Sequence, residues 1–166
     1  MGSNLGDSQA HLNNAVDALQ SNSAIYALQT SPYYQSKPHG PQNQPDYING
    51  VATFDTHLAP EKLLDLLQRI EADNKRVREG VERWGARTLD LDLLFYGDQI
   101  INSKRLTVPH PHICQRAFVL LPLVDLLGAS TKDLKINHNT TIKDCIKQLS
   151  LQDRNDTVKI KTPSNL

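Results

Sequence analysis

"RWGARTLDLDLLFYG" (Arg83–Gly97) carries two patterns that seldom share one segment. Leu89, Leu91, Leu93 and Phe95 alternate, which is the period of a strand with one apolar face. Asp90 and Asp92 fall on the opposite face. The alternation predicts a strand from Leu89 to Tyr96, ended by a turn at Gly97-Asp98. Side chains two apart on a strand leave the same side, with Cα atoms roughly 6–7 Å apart. Two carboxylates at that spacing repel by about 2–3 kcal/mol at an effective dielectric of about 20. Arginine or a bound divalent cation has to offset that repulsion.

The chain just upstream is rich in positive charge. Lys75, Arg76, Arg78, Arg83 and Arg87 stand against Glu79 and Glu82, so this loop is net +3 and the remainder of the chain −3. Guanidinium forks match phosphate oxygens and do not lose their charge, which suits such a loop to polyphosphate. Magnesium commonly takes one or two protein carboxylates and fills its octahedron with water and substrate phosphate. Acidic pair and arginine loop together point to a metal–nucleotide site. The P-loop pattern and the protein-kinase signatures are both missing from the sequence. "GSNLG" (Gly2–Gly6) is too short for a phosphate cradle and reads as a turn before a helix.

Outward from this segment, the remaining elements follow from period and punctuation. "DSQAHLNNAVDALQS" is a helix capped by Asp7 or Ser8, with Leu12, Ala15, Val16 and Leu19 in one stripe. A strand runs from Ala24 to Thr30 and continues irregularly past Pro32 to Gln35. Lys37–Asp46 is a proline- and glycine-rich loop, and "YINGVATFDT" (Tyr47–Thr56) is a strand weakened by Gly50. A second helix starts at Pro60 and buries Leu63, Leu64, Leu67 and Ile70. Near its end Gln68 and Glu71, three apart, point the same way.

After Gly97-Asp98 come a short ribbon, the proline-bracketed "TVPHPH" and a helix in "RAFVLLPLVDLL" around Pro122. "TTIKDCIKQLS" is a short amphipathic helix with Ile142, Cys145, Ile146 and Leu149 inward. The last stretch, 151–166, reads as a frayed tail holding at most one strand. Helix, strand, strand, helix, strand is the order of a ferredoxin-like α/β (α+β) unit, a split βαβ with a mostly antiparallel sheet. Its opening strand is not found. Either Met1 is a late start, or a sheet edge is left open.

The totals bound the rest. The 166 residues fit one domain over 1–166. Eighteen basic and eighteen acidic residues cancel, so no global field favours nucleic acid or an anionic membrane. No apolar run approaches the roughly 18 residues of a membrane span, and no secretory leader is legible, so a cytoplasmic setting is expected. Cys114 and Cys145 form neither a disulfide framework nor a C-x-x-C pair and are expected to be two reduced, buried thiols.

"RWGARTLDLDLL" (Arg83–Leu94) resembles the signature of the 6-hydroxymethyl-7,8-dihydropterin pyrophosphokinase family. "PHGPQNQPDYIN" (Pro38–Asn49), "GSNLG", "RLTVPHP" (Arg105–Pro111) and "RAFVLLPL" (Arg116–Leu123) match further blocks in order. The resemblance covers roughly Gly2 to Leu127. It implies a ferredoxin-like fold and transfer of the β,γ-diphosphate of ATP to a pterin hydroxymethyl oxygen, releasing AMP. It also implies that Asp90 and Asp92 hold two Mg²⁺ ions between the substrates, and that Arg76 and Arg87 belong to the catalytic set.

ATP contacts carried over by the resemblance are Gln68, Glu71, Arg78, Arg83, Trp84, Arg87, Leu93, Arg105, Thr107, His110 and Arg116. Tyr47 and Phe118 match the aromatic pair that sandwiches the pterin. Asn49 matches the reader of its polar edge, and Ser36, Pro38, His39, Gly40 and Trp84 match positions beside it. Departures from the pattern are Ala86 in place of proline, an extra residue in "REGVERW", His39 where apolar residues are frequent, and Pro111.

The implied partners are ATP and the pterin, with no nucleic acid or membrane, and the implied state is a monomer. Two rival readings remain open. Another metal-dependent phosphoryl enzyme would explain the acids and arginines but not the Tyr47–Asn49 block. A ferredoxin-like RNA-binding module would lack both an aromatic RNP block and a basic surplus here.

Overall fold

The computed structural model describes residues 1–38, 40–75 and 85–160, the side chains of 132 and 133 excepted. The chain opens with β1 (Gly2–Ser3), α1 (Ser8–Gln20), β2 (Ile25–Thr30), β3 (Tyr34–Ser36), β4 (Tyr47–Asn49), β5 (Ala52–Thr56) and α2 (Pro60–Asp73). There follow β6 (Ile101–Asn102), β7 (Thr107–Val108), a 3-10 turn (Ile113–Gln115) and α3 (Ala117–Leu127). A second 3-10 stretch (Gly128–Asp133) leads to β8 (Lys135–Asn137), β9 (Thr140–Thr141), α4 (Ile142–Gln148), α5 (Leu151–Asn155) and β10 (Thr157–Lys159).

The helices begin where the chain supplies caps. Asp7 accepts from Ala10 N at 3.0 Å and starts α1, whose Leu12, Ala15 and Leu19 are buried. Pro60 opens α2 at a position that needs no N–H, and Glu61 in the first turn complements the helix dipole. In α4, Thr141 and Asp144 form a reciprocal capping box.

The strands form an antiparallel four-stranded sheet, β1-β4-β3-β10, and a separate antiparallel pair, β2-β5. Two ribbons, β6-β7 and β8-β9, complete the pairing. Mixed helices and antiparallel sheets agree with the expected α+β class. One apolar cluster gathers Ala15, Leu19, Leu63, Leu67, Ile70, Leu89 and Leu91. A second gathers Val51, Ile113, Leu120, Leu123, Ile142 and Cys145.

Five expectations need correction. Leu89–Tyr96 is not a laddered strand: only Asp90 pairs, in an isolated antiparallel bridge to Gly2. Leu91 N–H goes instead to the Glu71 side chain, at 2.7 Å. "YINGVATFDT" is two strands, because the chain changes partners at Gly50–Val51. Gly50 N bonds Met1 O at 3.0 Å, whereas Val51 N bonds Ser31 Oγ at 2.9 Å. A short opening strand does exist: Gly2–Ser3 lies between β4 and Asp90.

The stretch from 151 onward is more ordered than expected. It holds α5 and then β10, which pairs with β3 in the register Thr157↔Ser36. Lys159 Nζ and Tyr34 Oη both reach Asp125 Oδ2 at 2.7 Å, tying that end to α3. The cysteines are likewise not two free thiols. Packing of α4 against the first 3-10 turn brings Cys114 and Cys145 to a Cα separation of 4.7 Å, and they are joined as a disulfide. Their separation of 31 residues gives no local pattern from which the pairing could be read.

Candidate active site

Register places the first polar groups. Tyr47 and Asn49 are the ends of β4, and Ser36 stands opposite Tyr47 on β3. Asn49 is 4% exposed and donates from Nδ2 to Ser36 Oγ at 2.9 Å, so its amide is held in one orientation with Oδ1 directed elsewhere. A Cβ on Gly2 would lie 3.1 Å from that Oδ1, so a side chain there would push the Asn49 amide aside by a few tenths of an ångström.

Tyr47, Asn49 and Phe118 share a cavity of about 170 Å³ with Arg87, Asp90 and Asp92. Ser36, His110 and Arg116 line the same cavity. Nine residues carried over from the resemblance thus come together. The Gly2–Asp90 bridge holds one aspartate from the sheet side, with backbone bonds of 2.9 and 2.8 Å. Glu71 holds the peptide between the aspartates from the α2 side.

Each carboxylate has its own guanidinium. Arg87 Nη1 is 2.8 Å from Asp90 Oδ2, and Arg116 Nη1 is 3.1 Å from Asp92 Oδ2. The repulsion inherent in the pair is therefore offset by side chains of this chain. His110 adds a third polar group. His112 N–H donates to its Nδ1 at 3.2 Å, so the neutral ring carries its proton on Nε2, 3.7 Å from Asp92 Oδ2. That is too long for a direct hydrogen bond. Burial pushes the imidazole pKa below its ordinary value, against the opposing pull of Asp92. Arg116 also stands over the Phe118 ring, 5.7 Å from its centroid.

Other expected residues lie elsewhere. Glu71 is 1% exposed and lines neither this cavity nor the larger one beside it, while Gln68 is half-buried on the same helix. Arg105 is exposed and bound to Asp65 at 2.6 Å and Glu61 at 3.4 Å, on the first turns of α2. Thr107 is exposed on β7, and Leu93 lines the larger cavity. Pro38 and Gly40 sit in the loop before β4, where both carbonyls accept from Gln42 Nε2. His39, Arg76, Arg78, Arg83 and Trp84 fall outside the described residues.

Sequence reasoning passed over Asn4. This residue is 3% exposed and acts as a clamp. Its Nδ2 donates to Gln44 Oε1 and Pro45 O, both at 3.0 Å, and its Oδ1 accepts from Arg87 N at 2.8 Å. It therefore joins the loop before β4 to the residue that carries the first guanidinium. The available signal was an asparagine in "GSNLG" with no helix or strand of its own to serve.

A magnesium ion fits this donor set in one way. Among the described residues no group of three or more His, Cys, Asp or Glu side chains forms a metal cage. Two carboxylates alone match a cation that takes its remaining oxygens from water and substrate phosphate. Also among the described residues, no helix is long and apolar enough to cross a membrane.

Comparison with known proteins agrees with this geometry. Residues 1–128 match the family model described as 7,8-dihydro-6-hydroxymethylpterin-pyrophosphokinase. The chain is 45% identical over 150 residues to a 2-amino-4-hydroxy-6-hydroxymethyldihydropteridine pyrophosphokinase of Haemophilus influenzae, covering 90% of each chain. An enzyme of the same name from Pseudomonas aeruginosa is 49% identical over 126 residues, 76% of each chain. A third, from Bacillus subtilis, is 39% identical over 133 residues, 80% of this chain and 78% of that one. With a family match over residues 1–128 and relatives of 45% and 49% identity, the chain belongs to the 7,8-dihydro-6-hydroxymethylpterin-pyrophosphokinase family.

Proposed function

We infer that this chain transfers diphosphate from ATP to the hydroxymethyl oxygen of 6-hydroxymethyl-7,8-dihydropterin, releasing AMP, as a step of folate biosynthesis. The observation that carries the reading is one cavity in which two aspartates and two arginines meet Tyr47, Asn49 and Phe118. A flat heteroaromatic ring stacked on an aromatic side chain gains roughly 1–3 kcal/mol. Tyr47 and Phe118 supply such faces. Asn49, its amide fixed by Ser36, presents Oδ1 to the N–H donors of the pterin edge. The tyrosine is itself held, since its hydroxyl donates to Gly85 O at 3.1 Å.

Arg87 and Arg116 are placed to pass from carboxylates to phosphate oxygens as the triphosphate enters. Planar guanidinium groups suit both partners. Asp90 and Asp92 would then hold Mg²⁺, with two ions the proposed number. When bound, the metal neutralises charge on the phosphate oxygens and makes the acceptor hydroxyl easier to deprotonate. His110, neutral with its proton on Nε2, can donate to a nearby phosphate oxygen but is not suited to removing a proton at that atom. Orientation of the two substrates is the main contribution of the protein.

The same reading takes the fold to be ferredoxin-like, supported by the order β1-α1-β2 and β4-β5-α2. It takes 1–166 to be one monomeric domain working in the cytoplasm. Incubation with ATP, hydroxymethyldihydropterin and Mg²⁺ tests it. AMP and the pterin diphosphate should appear in equal amounts. ADP formation, or AMP release without the pterin, would refute it.

A further inference from the structure

The register of β3 and β4 divides their side chains between two faces. Ser36, Tyr47 and Asn49 line the candidate active-site cavity. Gln35 and Lys37 flank Ser36, and Asp46 precedes Tyr47, so alternation sends these three to the opposite face. There the Asp46 carboxylate accepts from both of the others. Lys37 Nζ is 3.1 Å from Oδ1 and 3.0 Å from Oδ2, and Gln35 Nε2 is 2.9 Å from Oδ2. Gln35 first and then Lys37 hold the Asp46 carboxyl below its ordinary pKa.

The cluster sits where the ladder stops. Ser36↔Tyr47 is the last rung between the two strands, and Lys37 and Asp46 are the next residues across from each other. Among the described residues no backbone–backbone hydrogen bond joins them. The lysine end is fixed from elsewhere, since Lys37 N donates to Asp156 O at 3.2 Å. Beyond the pair the loop turns at Gly40, with φ +106°, and holds itself through Gln42 and Gln44. A side-chain ion pair thus takes the place of one more rung, directly ahead of Tyr47. Cross-strand opposite charges stabilise a pair and like charges there oppose it.

We propose that Gln35, Lys37 and Asp46 are positioning residues for the pterin half of the site, drawing β4 against β3 so that Tyr47 and Asn49 stand ready for a flat ring. This inference rests on the pterin reading given above and adds the device that sets its geometry. The three side chains need touch neither substrate. They act through the two residues that follow on β4, while Arg87, Asp90, Asp92 and Arg116 are carried by other parts of the chain. Their loss should therefore reach the pterin and spare ATP. The side chains of Lys37 and Asp46 are 59% and 25% exposed, so the effect is modest in size and weakened by salt.

Steady-state AMP release by the full chain, with Mg²⁺ and one substrate varied at a time, tests the assignment. Lys37→Asp and Asp46→Lys each set like charges across the pair and should raise the pterin KM roughly three- to tenfold. The ATP KM and kcat should stay within about twofold of the parent. In the double reversal the pair is restored, and Gln35 can turn its amide oxygen to the relocated ammonium. Its pterin KM should return to within about twofold of the parent. Amide exchange in 40–46 should quicken in the single reversals and recover in the double one. Asp46→Asn, which introduces no repulsion, should raise the pterin KM about twofold and serves where a reversal gives no folded protein. An unchanged pterin KM in these variants overturns the proposal while the functional reading stands. Equal damage to both KM values and kcat, or a double reversal no better than the singles, overturns it as well by leaving only a general structural role. A parent that releases no AMP with the pterin present brings down the functional reading and this inference together.

Discussion

Glu71 is the residue whose replacement tests the site most sharply, because among the described residues it reaches the acidic pair through the backbone. Its carboxylate is buried at the end of α2 and accepts the N–H of Leu91, the residue between Asp90 and Asp92. Leu91 is itself 7% exposed, so that N–H has no ready access to water. A hydrogen bond to a charged group contributes about 1.5–3 kcal/mol, and each buried methylene lost costs about 0.8 kcal/mol. Glu71→Ala should therefore lower stability by about 2–4 kcal/mol, a large share of the roughly 5–15 kcal/mol of a typical domain.

Glu71→Gln retains an oxygen acceptor and removes the charge, so it should stay within about 1 kcal/mol of the parent. Urea denaturation followed by circular dichroism measures both. In the diphosphotransfer assay Glu71→Ala should lower kcat, since a displacement of about 1 Å can cost about 100-fold. It should also shift the Mg²⁺ requirement upward, whereas Glu71→Gln keeps most of the rate. Parental stability and Mg²⁺ dependence in the alanine variant would refute the positioning argument. Equal damage in both variants would show that charge, rather than the acceptor, is what matters.

Asp92→Asn keeps an oxygen for Arg116 and should abolish turnover with a stability change below about 1 kcal/mol; normal AMP release from that variant would remove Asp92 from the reaction. Phe118→Ala should weaken pterin binding by roughly 5–150-fold, the equivalent of about 1–3 kcal/mol of stacking, and leave ATP binding within about threefold, both read by calorimetry. Gly50→Ala puts a Cβ 2.9 Å from the Tyr33 ring, which is tethered through its hydroxyl to Asn13 at 2.7 Å; the overpacking should cost about 1–3 kcal/mol in urea. Asp125 has its pKa held below the ordinary carboxylate value by Lys159 first and then Tyr34. Its contribution is thus fully present above the unfolded pKa of about 4 and is lost as pH falls through the lower folded value. Asp125→Asn should be less stable than the parent at pH 6 by about 1 kcal/mol or less, and the two unfolding curves should converge towards pH 2; a gap unchanged by pH would contradict the linkage.

Local signals carried the helices as far as α4, and the acidic pair with its arginine loop; α5 was not among them. The Asp7 cap and the Leu12–Ala15–Leu19 stripe define α1 without help from the rest of the chain. Pro60 and the spacing of Leu63, Leu67 and Ile70 do the same for α2. Strands are less legible because a ladder needs a partner that alternation cannot name. The leucines of 89–95 indicate which side is apolar, yet only Asp90 forms a β-bridge. Gly50 was visible as a weak point in a strand. The exchange of partners from β1 to β2 at that point depends on Ser31, twenty residues away, and was not visible. Arg105 shows the same limit for the site, since its alignment with a motif says nothing of Asp65 and Glu61 waiting on α2.

On the proposed function, the two Arg–Asp pairs explain how such a site can fold and still stay ready to react. Arg87 and Asp90 are 22% and 26% exposed at the side chain, Arg116 and Asp92 11% and 40%. Fully buried pairs would carry desolvation costs of several kcal/mol per ion. Fully exposed ones would be worth about 0–1 kcal/mol and would restrain little. At intermediate depth the attraction is enough to offset the mutual repulsion of the carboxylates, estimated at about 2–3 kcal/mol. On the proposed function, an arriving triphosphate, with more charge and better bidentate geometry, would draw the guanidinium groups away. Exchange of that kind needs carboxylates that are matched without being locked. On the proposed reaction, the half-exposed position of Asp92 is therefore as much a functional requirement as its charge.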